Sequence, residues 1–297
     1  MLTPSSYPQS EDSPPRNAVP PAARVRRMST RNRFLFFLVA WLIVLMPFLF
    51  WWNTWFGRQL SDKQLGEYLN DQKHPRHIQH ALVQLSGRMQ RGDANASRWY
   101  PQVVTLAASS VEEVRNTDAW VMGQDTSGAG FHETLLKMLG DSSALVRGNA
   151  ALSLVRFGDA SGRSQLLQLL QPVSVVAPAT GIVADASTTG TAVRRGGLVA
   201  KLRSRNQEIE VRSPISGRIR LLSSPVGVHI AAGTEVASID PSDDQVWEGL
   251  RALFLVGRLE DIPVVRLYER GSPEISDRVR RQAALTEKSI RDRANQP

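Results

Sequence analysis

His74, His77 and His80 come nearest to chemistry by type and spacing. Imidazoles at intervals of three bring two ring nitrogens to one side of a helix, where a divalent cation would be held. No fourth ligand and no fixed outer shell stand beside them, so the expectation is a solvated helix face near Pro75 with no metal bound. His132 and His229 have no visible partners. The acidic pairs Glu112–Glu113 and Asp243–Asp244 are adjacent in sequence, so their side chains point apart, which suits helix caps and solubility rather than paired acid–base catalysis. The stretch DTSGAG (125–130) lacks the Lys-Ser/Thr ending of a phosphate-binding loop, and no nucleophile elbow is present. Cysteine is absent, which excludes disulfides, thiolate nucleophiles, iron–sulfur clusters and cysteine zinc sites. The expectation is a protein that is not an enzyme, with no catalytic residue, no cofactor and no small-molecule substrate.

A formal net charge of +8 raises the question of nucleic acid. Much of the excess sits near the N-terminus, at Arg16, Arg24, Arg26, Arg27, Arg31 and Arg33, and no helix-turn-helix, zinc-finger or RNA-stacking signature accompanies it, so no nucleic-acid partner is expected. A second basic group carries the candidate partner-binding surface: Arg194, Arg195, Arg203, Arg205, Arg218 and Arg220. With Lys201 and Arg212 these outnumber the acids of their segment. Such a surface would attract an acidic partner or anionic lipid heads, the attraction fading within about 8 Å at physiological salt.

These residues must be positioned by elements of several kinds. Residues 1–33 are proline-bearing and basic, and are expected to form a disordered cytoplasmic tail. Residues 34–57 carry no charge and open with FLFFLVAWLIVLMPFLFWW. A run of about 20 apolar residues at 1.5 Å each crosses a hydrocarbon core of roughly 30 Å, so a transmembrane signal anchor is predicted. Trp51, Trp52 and Trp55 would sit at the headgroup level. Arginines before the span, against Arg58 and Lys63 after it, place the N-terminus in the cytoplasm.

Residues 58–171 read as short amphipathic helices. Ser61 and Gln64 form a capping box ahead of Leu65 and Leu69, and Ile78, Ala81, Leu82, Leu85 and Met89 make one stripe of helical period. The string VRGNAAL (146–152) recurs as VRRQAAL (279–285), with weaker echoes at Ala81–Leu82 and at Val114–Arg115 followed by Ala119–Trp120. Small alanines allow close stacking of helices, and the arginine can reach carbonyls or carboxylates of the adjacent turn. This pattern resembles HEAT repeats of the short bacterial kind. The resemblance implies stacked helix pairs with a curved face left free for partners. Residues 242–293 resume the helices, with a short tail over 294–297, and are expected to pack on the earlier array or cap it.

Between them, residues 172–241 turn to Val, Ile, Thr and Gly punctuated by turns, the texture of a β domain. Its two halves repeat: Pro178, Gly181 and Gly197 recur as Pro214, Gly217 and Gly233, each thirty-six residues on. The P-x-x-G turns and paired strands resemble the biotinyl/lipoyl-like barrel-sandwich hybrid also found in membrane-fusion adaptors. Carriers of that family present a lysine on the hairpin between halves. Here the hairpin reads RSRNQ (203–207), with Lys201 beside it, so neither biotin nor lipoate is expected.

The fold class expected is therefore multidomain: one N-terminal transmembrane helix, a HEAT-like α-helical array, an inserted all-β lipoyl-like domain, and C-terminal helices completing the array. The family resemblance implies a bacterial inner-membrane, single-pass protein with its C-terminal domains in the periplasm. The function expected is a membrane-anchored, non-enzymatic scaffold touching the bilayer through residues 34–57 and binding unidentified protein partners. The alternative is an adaptor-like subunit of an export or efflux system, with a transporter as partner.

Overall fold

The computed structural model describes residues 30–55, 59–205, 207–270 and 275–295, with side chains at 32–33 and 49–55 left out. The chain divides into two compact units, residues 1–59 and 60–297. The expected disordered tail falls, for residues 1–29, outside the described residues. So do the interfacial tryptophan side chains, Arg58 and the last two residues of the C-terminal tail.

The first unit contributes one helix, α1 (Thr30–Trp55), with Pro47 inside it. Among the described residues, no helix is long and apolar enough to cross a membrane. This corrects the transmembrane signal anchor expected over 34–57. The single-pass inner-membrane placement, with cytoplasmic N-terminus and periplasmic C-terminal domains, falls with it. The bilayer contact given to residues 34–57 likewise has no spanning helix among the described residues to make it.

The second unit mixes helices with two small antiparallel sheets. Its helices are α2 (Asp62–Leu69), α3 (Pro75–Gln90), α4 (Tyr100–Leu106), α5 (Glu112–Met122), α6 (Phe131–Met138), α7 (Ala144–Arg156) and α8 (Arg163–Gln168). The strands follow, and then α9 (Asp243–Val256), α10 (Ile262–Glu269) and α11 (Asp277–Ala294). Ser61 caps α2, its hydroxyl accepting from the Gln64 N–H while the Gln64 side chain accepts from the Ser61 N–H. Pro75 opens α3 where a missing N–H costs nothing. The stripe Ile78, Ala81, Leu82, Leu85 and Met89 is buried, each leucine contributing about 1.5–3 kcal/mol on leaving water.

The helices run as five pairs. The second member of each pair, α3, α5, α7, α9 and α11 in turn, stacks on the one before. Side-chain bonds cross these stacks at nearly constant sequence separation. Gln79 donates to the Glu113 carbonyl at 3.2 Å, and the buried Ser153 hydroxyl to the Ala119 carbonyl at 2.8 Å. The buried Thr286 hydroxyl donates to the Leu250 carbonyl at 2.9 Å. Ser153 and Thr286 each follow directly after the repeated heptad, so the repeat extends one residue further. A short hydroxyl there satisfies itself on the neighbouring helix while keeping the two axes close. The heptad arginines turn back on their own turns: Arg147 donates to the Asp141 carbonyl at 2.8 Å and Arg280 to the Ile275 carbonyl at 3.0 Å.

The β module enters between the two helices of the fourth pair. Its strands are β1 (Val173–Val176), β2 (Gly181–Ala186), β3 (Ala192–Val193), β4 (Leu198–Ser204), β5 (Gln207–Arg212), β6 (Gly217–Leu222), β7 (His229–Ile230) and β8 (Glu235–Pro241). They form sheets of order β1-β8-β6-β3 and β5-β4-β2-β7. Exchanging the halves, β1 for β5, β2 for β6, β3 for β7 and β4 for β8, converts one order into the other. The duplicated glycines have a steric reason. A Cβ on Gly181 would lie 2.8 Å from the Arg203 carbonyl oxygen, and one on Gly217 only 1.8 Å from that of Asp240. The third landmark slips by one residue. The left-handed glycine matching Gly233 (φ 82°) is Gly196 (φ 75°), not Gly197. Their N–H groups donate to equivalent carbonyls, Ala177 for Gly233 and Ser213 for Gly196. A one-residue insertion in the second half explains the shift.

Candidate functional site

The stacked helices leave a groove of about 840 Å³ across α5, α7, α9 and α11. Leu255 and Leu285 are 57% and 54% exposed along it, Trp120 39%, and Leu152 is half-buried. Around these apolar side chains, Arg156 donates to Gln124 at 2.9 Å and Asn149 to the Asn116 side chain at 2.7 Å. Beside the groove, the guanidinium carbons of Arg251 and Arg278 lie 4.6 and 3.8 Å from the centre of the Trp247 ring. Leu285 and Leu152 are the last residues of the two heptads. Leu285 is the more exposed because, among the described residues, no further helix stacks on α11.

The six arginines of the expected basic surface do not form one patch. Arg203 and Arg205 lie at the β4–β5 hairpin, where Arg203 faces Glu208 across the strands and Arg205 takes a left-handed conformation (φ 52°). Arg194, Arg195, Arg218 and Arg220 gather at the β3–β6 edge of the other sheet. Among the described residues, Arg195 pairs with Glu112 on α5, Arg218 donates to the Gly190 carbonyl at 2.6 Å, and Arg220 approaches Asp240 at 3.5 Å. Arg218 and Arg220 also border a cavity of about 580 Å³ between the β module and α9–α10. There the Tyr268 hydroxyl donates to the Leu170 carbonyl, and burial pushes its phenol up to about 12. Lys201 pairs with Glu208 at 3.6 Å.

The histidines sort differently from the expectation. His74 and His77 converge, but His80 does not join them; the third member of their cluster is Asp71, in the turn between α2 and α3. Nδ1 of His74 lies 2.9 Å, and Nδ1 of His77 2.8 Å, from the same oxygen, Oδ2 of Asp71. Hydrogen bonds from His77 and then His74 hold the Asp71 carboxyl below the usual carboxylate range. Tyr68 stacks on His77 at 4.4 Å and 9°, fixing that ring, while its edge contact with His80 is longer, 6.3 Å. A D-x-x-H-x-x-H spacing with proline inside it was the available signal. His132, expected to stand alone, meets Asp159 through Nε2 at 2.7 Å. Residues 125–130 are a loop, as expected, held by Ser127 and by the Tyr100 hydroxyl, which donates to Asp125. Glu112–Glu113 and Asp243–Asp244 occupy the first turns of α5 and α9, where carboxylates suit the helix dipole.

No protein-family model matches the chain, and no curated protein does. Among solved structures, a single-chain, multi-domain long-chain acyl-CoA carboxylase is similar at 15% identity, over 32% of this chain and 10% of that one, with a TM-score of 0.23. This chain thus matches about a tenth of that protein's length, and a likeness on that scale identifies neither a fold nor an activity.

Proposed function

We propose that the protein is a non-enzymatic scaffold that holds a protein partner on the groove formed by α5, α7, α9 and α11, with the β module as a second contact surface. The reading rests on one observation: five helix pairs stack so that their second members share a face, and along it Trp120, Leu255 and Leu285 stay open to solvent. Exposed apolar side chains gathered in a groove favour a partner that brings apolar anchors of its own. The repeated heptads, the hydroxyl bonds between successive helices and the resemblance to HEAT repeats support the same reading. The paired halves of the β module agree with its resemblance to lipoyl-like domains. Its hairpin carries arginines where a carrier would present a lysine. The export-adaptor alternative drew on the same lipoyl-like resemblance and on a membrane anchor; of these two supports the anchor is absent among the described residues.

Photo-crosslinking in the cells that make the protein tests this. A crosslinking residue at Leu285 of the full chain is expected to yield a discrete protein adduct. The adduct should disappear when Leu255→Glu is added, and should not form from Ser161, an exposed loop position away from the groove. Identical adducts from Ser161, or indifference to Leu255→Glu, would overturn the assignment.

A further inference from the structure

From the geometry of the α2–α3 turn we infer a binding site for one divalent transition-metal ion, of the zinc, nickel or cobalt kind, formed by Asp71, His74 and His77. The ligand atoms of these residues all lie within 4.8 Å of one another. Two features go beyond proximity. Both Nδ1 atoms face one carboxylate oxygen, and because a carboxylate only accepts, each ring presents an Nδ1–H to it; a single dication takes that place when each neutral ring carries its proton on Nε2 and leaves the Nδ1 lone pair as ligand. The rings are also held in place. His77 is stacked on Tyr68, and the backbone fixes the turn through His74 N–H to the Asp71 carbonyl at 3.1 Å and His77 N–H to the His74 carbonyl at 2.8 Å.

Metal distances decide whether the cluster can close on an ion. Tetrahedral zinc with bonds of about 2.0–2.1 Å places its ligand atoms about 3.3 Å apart. The two nitrogen–oxygen contacts must therefore open by about half an ångström, within reach of side-chain rotation in a solvent-facing turn. Two imidazoles and one carboxylate select borderline transition metals over magnesium or calcium, which prefer all-oxygen sites. The side chains of His74 and His77 are 63% and 42% exposed, so remaining coordination positions are left to water or to a group on a partner. An ion there would clamp α2 to the start of α3, at the N-terminal end of the helical array. The inference stands apart from the groove across α5–α11.

The test uses the full chain stripped with a chelator and then titrated with zinc against a chromophoric competitor, and with cobalt while its visible spectrum is read. One equivalent should bind. Asp71→Asn, His74→Ala and His77→Ala should each weaken zinc binding at least about tenfold and abolish the cobalt bands. His80→Ala should change the affinity less than about twofold. Zinc should raise the thermal midpoint of the wild-type chain and not that of the His74→Ala/His77→Ala double variant. Because these residues are solvent-facing, the metal-free variants should match the metal-free wild type in helical circular dichroism. Affinities indifferent to all three ligand substitutions, an equal loss in His80→Ala, or a zinc-induced midpoint rise that survives in the double variant would overturn the site.

Discussion

Asp118, on α5, is fully buried, and among the described residues neither of its carboxylate oxygens meets a donor. Desolvation by burial raises its pKa well above 3.8, so the folded protein keeps this proton to higher pH than the unfolded chain does. With the folded-state value raised, its contribution is most favourable below the unfolded pKa and is lost as pH rises from 3.8 through the raised value. Asp118→Asn keeps the shape and removes the ionisation. It is expected to stabilise the protein by roughly 1–3 kcal/mol at pH 7, the gain shrinking toward zero as the pH approaches about 4. Urea unfolding of both chains across that range checks this, and a gain that stays constant with pH would contradict it. Ser153 and Thr286 are the opposite case, buried hydroxyls that are satisfied.

At the scale of elements, the array depends on helices approaching where one of them carries no side chain. A Cβ on Gly162, just before α8, would lie 2.6 Å from the Ala151 Cβ and 2.7 Å from its Cα, and backbone cannot swing aside as a flexible side chain would. Gly162→Ala is therefore expected to cost about 1–3 kcal/mol by overpacking, measured as a lower unfolding midpoint. A neutral result would mean that α7 and α8 are not locked together. Polar ties join helices both between pairs and within one. Arg115 grips Asp141 with two bonds, at 2.7 and 3.0 Å, across the step from the second pair to the third. Arg266 grips Glu287 in the same manner between α10 and α11, and its guanidinium holds the Glu287 carboxyl down to about 2.

At the scale of the whole second unit, the β module is a detour in a helical path. Its first and last strands pair, Val173 opposite Ile239, so the chain leaves the module beside where it entered. The Gln245 side chain already bonds the Leu169 carbonyl at 3.0 Å across that gap. The helical core around Leu166, Leu170, Leu250, Leu253 and Val265 shares no residue with the β core around Val183, Leu202, Ile219 and Ile239. Replacing residues 174–238 by a short Gly/Ser linker is expected to leave one cooperative helical unfolding transition, because loop closure over neighbouring ends costs little. Loss of cooperativity, followed by circular dichroism, would show that the helices need the module to stack.

Periodicity and repetition determined much by themselves. An apolar stripe at helical spacing located the helix around Leu82, and the repeated heptads located those that carry Val146 and Val279. Duplicated glycines located the β halves, because these signals arise from local geometry that any register of the fold must respect. The fourth helix pair was legible only as two separated fragments, since nothing local to Leu170 or Asp243 reports that their ends are neighbours. Nor did local pattern reveal that Asp71, rather than His80, completes the histidine cluster, because proline-bearing turns redirect side chains away from simple helical spacing. The six arginines looked like one basic surface in the sequence. Pairing of β6 with β8 and of β4 with β5 split them between two sheets, since strand order is set by long-range hydrogen bonding that residue spacing does not encode.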